Sequence, residues 1–169
     1  MISKKMEKAL NDQVNAELYS AYLYWSMHAA VEKIGLKGFA NWMYVQVQEE
    51  MAHAMGLYNY ILTRGGTVSL GAIDKPKGSW KSVQDVVKEV LAHEQKVTSL
   101  INGLVDVAEQ EKDRAAISFL DWYVKEQVEE EDNVETILAT LKLIGSDVNA
   151  LLNYDKELGA RVFNAPVIE

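Results

Sequence analysis

Four segments of the sequence carry carboxylate, amide or imidazole side chains in the middle of otherwise apolar helical patterns. Apolar residues recur there in steps of three and four, which places them on one inward face of a helix. The polar residues on these four faces are, in chain order, Glu17; Glu50 with His53; Glu94; and Gln127 with Glu130. A buried carboxylate without a partner is costly, and none of the four faces includes a Lys or Arg. The sequence therefore predicts that bound metal ions supply the missing positive charge.

The ligand types narrow the kind of metal site. Carboxylate oxygens with one imidazole suit first-row divalent metals, iron and manganese above all, and four carboxylates exceed what a single structural zinc needs. Di-iron carboxylate bundles use one Glu from each of two helices and Glu-x-x-His from each of the other two. Glu17 and Glu94 fit the single-glutamate positions. Glu50 and His53 form one motif, whereas a Gln-x-x-Glu ending at Glu130 replaces the second. One metal is thus expected to keep an imidazole ligand and the other to have oxygen ligands only.

Four long helices and one short helix are expected to position these residues. Capping and glycine signals predict the limits 4–33, 37–64, 82–109 and 114–143 for the long helices, and 148–158 for the fifth. Short turns after the first and third helices predict antiparallel hairpins. The connection 65–81 could span at most ~56 Å, more than the ~42 Å length of a helix of about 28 residues. The sequence thus predicts an all-α four-helix bundle with one long crossover, the arrangement of ferritin-like folds, with all ligands in one mid-helix layer.

Composition limits the class of protein. The 169 residues, 49% of them hydrophobic, suit a single domain 1–169 with a sizeable core. The absence of cysteine excludes thiolate metal sites and is compatible with a reducing cytoplasm, the expected location. We expect no membrane association, because no segment has the pattern of a signal peptide or approaches the length of a membrane span. The net charge of −8 argues against nucleic acid as a partner and fits cations better.

Taken together, the sequence motifs around these residues are specific enough to indicate a protein family. They read NAELYSAYLY around Glu17, QEEMAHA around Glu50 and His53, HEQ at Glu94, and FLDWYVKEQVEEE at Gln127 and Glu130. Over nearly its whole length the chain resembles the bacterial and archaeal non-haem ferritins. The resemblance implies a hollow shell of 24 subunits that oxidises Fe(II) with dioxygen or hydrogen peroxide and stores the ferric mineral inside.

The resemblance also implies roles for individual residues. It makes Glu17, Glu50, His53 and Glu94 ligands of a ferroxidase pair of irons, with Glu50 bridging the two metals. By the same match Glu130 completes the ligands of the second iron. Gln127 lies where the family contacts that iron or its oxygen ligand, and Tyr24 lies next to the centre. A third, accessory iron position is implied at Glu49, Glu126 and Glu129. Haem-containing relatives carry a second Glu-x-x-His on the fourth helix, where this chain has Glu130. No haem is therefore expected, although Met51 occupies the position of their axial methionine.

Several of these residues also have simpler interpretations. Tyr24 is either a large core residue or a hydrogen-bonding partner, or electron donor, of the site. His28 lies near a helix end and is expected to be partly exposed, and His93 points about 100° away from Glu94 and is expected to be a non-ligand. Trp42 and Trp122 are interpreted as packing or subunit-interface residues. Two other functions stay open: a shell protein without catalysis, and a di-iron oxidase of rubrerythrin type, which the absence of cysteine disfavours.

Overall fold

The computed structural model describes residues 1–168, and five α-helices account for the regular structure in that range. They are α1 (Lys4–Ile34), α2 (Lys37–Thr63), α3 (Val83–Gln110), α4 (Arg114–Ile144) and α5 (Val148–Leu158). The all-α prediction is confirmed, and each helix end lies within one residue of its predicted position. No helix in residues 1–168 is long and apolar enough to cross a membrane. The predicted domain end, residue 169, lies outside the described residues.

Side-chain caps fix the start of four helices. Ser3 accepts a hydrogen bond from the backbone N–H of Met6, and Ser82 accepts one from Asp85. Asp113 and Asp147 do the same for α4 and α5. These oxygens pair with N–H groups that have no partner within the first helical turn. The limits of the helices are therefore set locally, which explains why the sequence predicts them well.

Contacts between helices give the topology. Lys5 bonds Gln110 and Ser20 contacts His93, so α1 and α3 are antiparallel. The short turn at 35–36 makes α1 and α2 antiparallel as well, so α2 and α3 run parallel. The connection between them lies along α1, where Asn11 donates to the Thr67 carbonyl at 3.0 Å. Further along α1, Ser26 donates to the Lys77 carbonyl at 2.6 Å. The predicted long crossover is thus present.

Two apolar clusters fill the bundle and leave a polar layer between them. One cluster contains residues such as Met27, Val47, Val90 and Val134. The other cluster lies toward the opposite end of the bundle, and its members are Leu10, Leu57, Val97, Leu120 and their neighbours. On every long helix the candidate ligands fall between the two clusters in the chain order. Apolar packing on both sides therefore holds the polar layer in place.

Helix α5 is docked against the start of α2. The backbone N–H of Phe39 donates to Asp155 Oδ1 at 2.9 Å. A Cβ atom at Gly38 would lie only 1.5 Å from the Asp155 carbonyl oxygen, so only glycine permits this approach. Beyond α5, the chain returns along α2, with the Arg161 carbonyl accepting from Asn41 at 2.9 Å and Ile168 near Gly56.

Candidate metal centre

Three of the predicted ligands form a compact, fully buried cluster. Glu17, Glu50 and His53 are 1–2% exposed, and one ligand atom from each lies within 4.8 Å of the others. Glu17 Oε2, Glu50 Oε2 and His53 Nε2 have no hydrogen-bond partner among residues 1–168. Unpartnered polar atoms inside a core are costly. Two carboxylate oxygens and an imidazole nitrogen fit a first-row divalent cation in both number and chemistry.

Glu94 and Glu130 form the second half of the polar layer. Glu94 is completely buried and Glu130 is 3% exposed. The Gln127 amide donates to Glu94 Oε2 and to Thr98 Oγ1, both at 3.3 Å, and Gln46 donates to Glu130 Oε2 at 2.9 Å. Amides from α4 and α2 therefore orient these two carboxylates.

Burial dominates the acid–base properties of the layer. It raises the pKa of Glu94 to about 7 and that of Glu130 to about 8, and repulsion from Glu94 contributes to the shift at Glu130. Burial likewise raises the pKa of Glu17, and that of Glu50 well above its usual value. Burial alone would lower the pKa of His53, but the carboxylates of Glu126 and Glu50 outweigh it and raise this pKa well above 6.5. Without metal, the layer therefore retains protons that arriving cations would displace.

Two glutamines of the site were not predicted. Gln13 is 3% exposed and donates to Glu17 Oε1 at 2.9 Å. Gln46, which holds Glu130, is completely buried. Each lies four residues before a buried glutamate on its own helix, Glu17 for Gln13 and Glu50 for Gln46. An amide at this spacing shares the inward face of the helix, and this signal could have identified both residues.

Aromatic residues enclose the layer. Tyr24 is 1% exposed, and its hydroxyl donates a hydrogen bond to Glu94 Oε1, so Tyr24 is both a core residue and a partner of the site. His93 contacts Ser20 Oγ at 2.8 Å through Nε2, and burial lowers its pKa to about 4. The Trp122 ring packs edge-on against the His53 ring, with centroids 5.4 Å apart. Trp122 thus packs directly against a candidate ligand.

The three residues of the implied accessory position are not equally placed. Glu126 Oε1 lies 3.7 Å from His53 Nε2, and its charge raises the pKa of Glu49, although burial is the main cause of that shift. Glu129 is exposed, and no hydrogen bond or ion pair joins it to the other two glutamates in residues 1–168. Glu49 is instead paired with Arg161 at 2.8 Å. Sequence reasoning did not identify Arg161, because it lies outside the four helical faces.

Other residues singled out from the sequence lie outside the cluster. His28 is partly exposed, as expected, and its ring packs against Tyr44 at 5.8 Å. Met51 is 42% exposed. Trp42 is buried and packs edge-on against Tyr24 with centroids 6.3 Å apart, which agrees with a packing role.

Comparison with known proteins agrees with this geometry. A family model described as a ferritin-like domain matches residues 7–144. The bacterial non-haem ferritin of Staphylococcus aureus (strain USA300) is 44% identical over 164 residues, covering 97% of this chain and 99% of that protein. The open pore ferritin of the hyperthermophilic archaeon Archaeoglobus fulgidus superposes with a TM-score of 0.95 at 52% identity, covering 96% of this chain and 100% of that one. An engineered closed form of the A. fulgidus ferritin has a TM-score of 0.96 at the same identity, with 97% and 100% covered. The chain therefore belongs to the ferritin family.

Proposed function

We propose that this protein stores iron and that its buried carboxylate layer is a ferroxidase centre, which oxidises Fe(II) before the ferric product is stored. The observation that supports this most is the cluster of Glu17, Glu50 and His53, whose three ligand atoms are buried, close together and without partners. Membership of the ferritin family supports iron as the metal. A location in the cytoplasm and the absence of haem belong to the same proposal.

The layer offers two adjacent positions for Fe(II). Glu17 and His53 would hold one ion, and Glu94 and Glu130 would hold the other. Glu50, which clusters with Glu17 and His53 and is close enough to Glu94 for its charge to act on it, would bridge the two. Each Fe(II) gives up one electron. Dioxygen takes both electrons with two protons and leaves hydrogen peroxide; peroxide as the oxidant would take them and leave two water molecules. The protein contributes fixed geometry and negative charge, which favour the ferric state.

A third Fe(II) position beside the pair is part of the proposal. Glu126 Oε1 lies 3.7 Å from His53 Nε2, and Glu49 is close enough to both for their charges to act on it. Glu129 is the third residue implied by resemblance. This position would receive a cation between the pair and the storage cavity. Because Glu129 is exposed, its side chain must turn toward the other two to join them.

Assembly into a shell of 24 subunits is the remaining element of the proposal. Large apolar side chains on α1 and α2 are 42–53% exposed. They are Tyr22, Trp25, Ile34, Tyr44, Met51, Met55 and Leu62. Such a concentration of exposed apolar surface is typical of a protein contact, and homo-oligomers bury identical surfaces by symmetry.

The test combines metal binding with oxidation kinetics in variants of the two halves of the layer. Glu50→Ala and Glu130→Ala should each lower the initial rate of Fe(II) oxidation by at least about tenfold. Removal of a residue that only hydrogen-bonds a metal ligand already costs about this much activity. Glu109→Ala removes an exposed carboxylate of α3 and should leave the rate unchanged. Size-exclusion chromatography should give a shell for all three. Unchanged kinetics in both layer variants would support a shell without catalysis, and a dimeric protein would contradict the cage.

A further inference from the structure

One cationic side chain reaches the edge of the carboxylate layer from the segment after α5. Arg161 Nη2 donates to Glu49 Oε2 at 2.8 Å, and Nη1 donates to Gln46 Oε1. The guanidinium lies over the Trp42 ring, with Cζ 4.9 Å from its centroid. The side chains of Arg161 and Glu49 are only 24% and 17% exposed. A planar cation that meets a carboxylate, an amide and an aromatic face at once is held in one orientation.

The docking of α5 on α2 positions Arg161 beside Glu49. Helix α5 is fixed against α2 by the close approach at Gly38 and by the bond from Phe39 to Asp155. Three residues beyond Leu158, the last residue of α5, the Arg161 carbonyl accepts from Asn41 Nδ2 at 2.9 Å. The guanidinium is therefore tethered beside Glu49, and its local concentration there is high.

Arg161 is also linked to the metal pair through one buried amide. Gln46 accepts from Arg161 with its oxygen and donates to Glu130 Oε2 with its nitrogen at 2.9 Å. Since the amide has one accepting and one donating end, the guanidinium fixes which end faces Glu130. Loss of the guanidinium would free Gln46 to turn and would weaken its hold on Glu130.

A cation held at the accessory position through Glu49 would have to share this carboxylate with the guanidinium. Glu49 is close enough to Glu126 and His53 for their charges to act on it, and Arg161 binds one of its two oxygens. We propose that Arg161 is a tethered competitor for the accessory metal position, which a third cation occupies only by displacing the guanidinium from Glu49. Displacement also releases Gln46 and so couples the accessory position to the Glu130 half of the pair. This inference rests on the proposed function, and Arg161 acts in it as a positioning residue.

Binding of redox-inert Zn(II) to the assembled, iron-free protein tests the proposal without any turnover. Isothermal titration should resolve two tighter ions and a weaker third ion per subunit. Arg161→Gln should tighten the third by about tenfold or more, because one charge-assisted hydrogen bond no longer competes with the metal. Arg161→Lys keeps the charge but loses the forked geometry. It should leave the third affinity near that of the unmodified protein while weakening the Glu130 position as Arg161→Gln does.

Two control variants separate this effect from general electrostatics. Lys156→Gln removes an exposed positive charge of α5 and should leave all three affinities unchanged. The double variant Glu49→Gln, Arg161→Gln should not bind the third ion more tightly than the unmodified protein. This result would assign the tighter binding in Arg161→Gln to the accessory position. In crystals soaked with Zn(II), the guanidinium should have left Glu49 wherever the third ion is bound.

The outcomes that overturn the inference differ from those that overturn the ferroxidase pair. A third ion that binds Arg161→Gln no more tightly than the unmodified protein, or no third ion in any variant, contradicts the competitor role. Both results leave two ions per subunit and the ferroxidase pair intact, and the second also contradicts the accessory iron position. Fewer than two ions in the unmodified protein contradicts the ferroxidase proposal itself.

Discussion

The Tyr24 hydroxyl donates a hydrogen bond to Glu94 Oε1 across the contact between α1 and α3. The other oxygen of the same carboxylate accepts from Gln127 of α4 at 3.3 Å. Both oxygens of Glu94 are thus oriented from two different helices. Ordering a ligand before the metal arrives reduces the entropy lost on binding, so these two partners should affect metal affinity more than fold stability.

Tyr24→Phe should weaken metal binding with little effect on the fold. The ring stays in the core while the bond to Glu94 is lost, so Zn(II) affinity at the pair should fall by about tenfold. The initial rate of Fe(II) oxidation should fall in parallel. Titration and stopped-flow absorbance measure the two quantities, and Tyr19→Phe, which alters a half-buried tyrosine of the same helix, is the matched control.

The comparison of the two measurements decides the role of Tyr24. Equal losses of affinity and rate indicate positioning of Glu94. A slower rate at unchanged Zn(II) affinity would indicate electron donation instead. If neither quantity changes, Tyr24 is a core residue whose bond to Glu94 has no functional weight.

The metal-free protein should lose stability as the pH rises from 6.5 to 8. In the folded state the pKa values of Glu94 and Glu130 are about 7 and about 8, against 4.5 in the unfolded chain. The folded state therefore binds more protons in this range, and the free energy of unfolding falls with increasing pH. His93 acts in the opposite direction, but only between its folded pKa of about 4 and its unfolded value of 6.5. Thermal unfolding of the apoprotein at several pH values measures the slope.

Variants and metal should both change this slope. Glu130→Gln removes one of the two titrating carboxyls and should make the decline shallower, whereas Glu109→Gln should not. Saturating Zn(II) binds the ionised carboxylates, so it should cancel or reverse the decline. A stability that rises from pH 6.5 to 8 in the apoprotein would contradict the raised pKa values.

Gly38→Ala should detach α5 and the segment that carries Arg161. The added Cβ would lie 1.5 Å from the Asp155 carbonyl oxygen, an overlap that only a backbone movement can relieve. Overpacking of this kind costs about 1–3 kcal/mol or more. Hydrogen exchange should be faster from Val148 onward while α1–α4 stay protected.

Gly103→Ala is the matched control for that change. Nothing lies within 4 Å of a Cβ at this position, so the helix should gain about 0.5–1 kcal/mol of stability. Equal protection of α5 in both variants would show that the contact at Gly38 does not hold α5 in place.

Much of the fold and of the candidate metal centre could be predicted because the signals are local. Ser82 and Gly145 limit their helices through contacts within a few residues, and the sequence is sufficient for these. Glu17, Glu50 and Glu94 stand out because a buried charge is exceptional on an apolar face. Their common depth within the helices predicted the shared layer, which the structure shows.

The rest depends on contacts between distant parts of the chain. Arg161 reaches Glu49 only because α5 docks at Gly38, and no periodic pattern in the sequence predicts that docking. Gln46 carries a signal on its own helix, but its bond to Glu130 crosses from α2 to α4. The exposure of Glu129 could not be foreseen, since three residues of helix spacing place it on the face of Glu126 without fixing its side chain.

The most direct measurement is anomalous diffraction at the iron edge from crystals soaked anaerobically with Fe(II). We expect two strong peaks in each subunit, one beside Glu17 and His53 and one beside Glu94 and Glu130, with Glu50 in contact with both. Peaks confined to the shell surface or the cavity, with no peak inside the four-helix bundle between Glu17 and Glu130, would contradict the proposed ferroxidase centre.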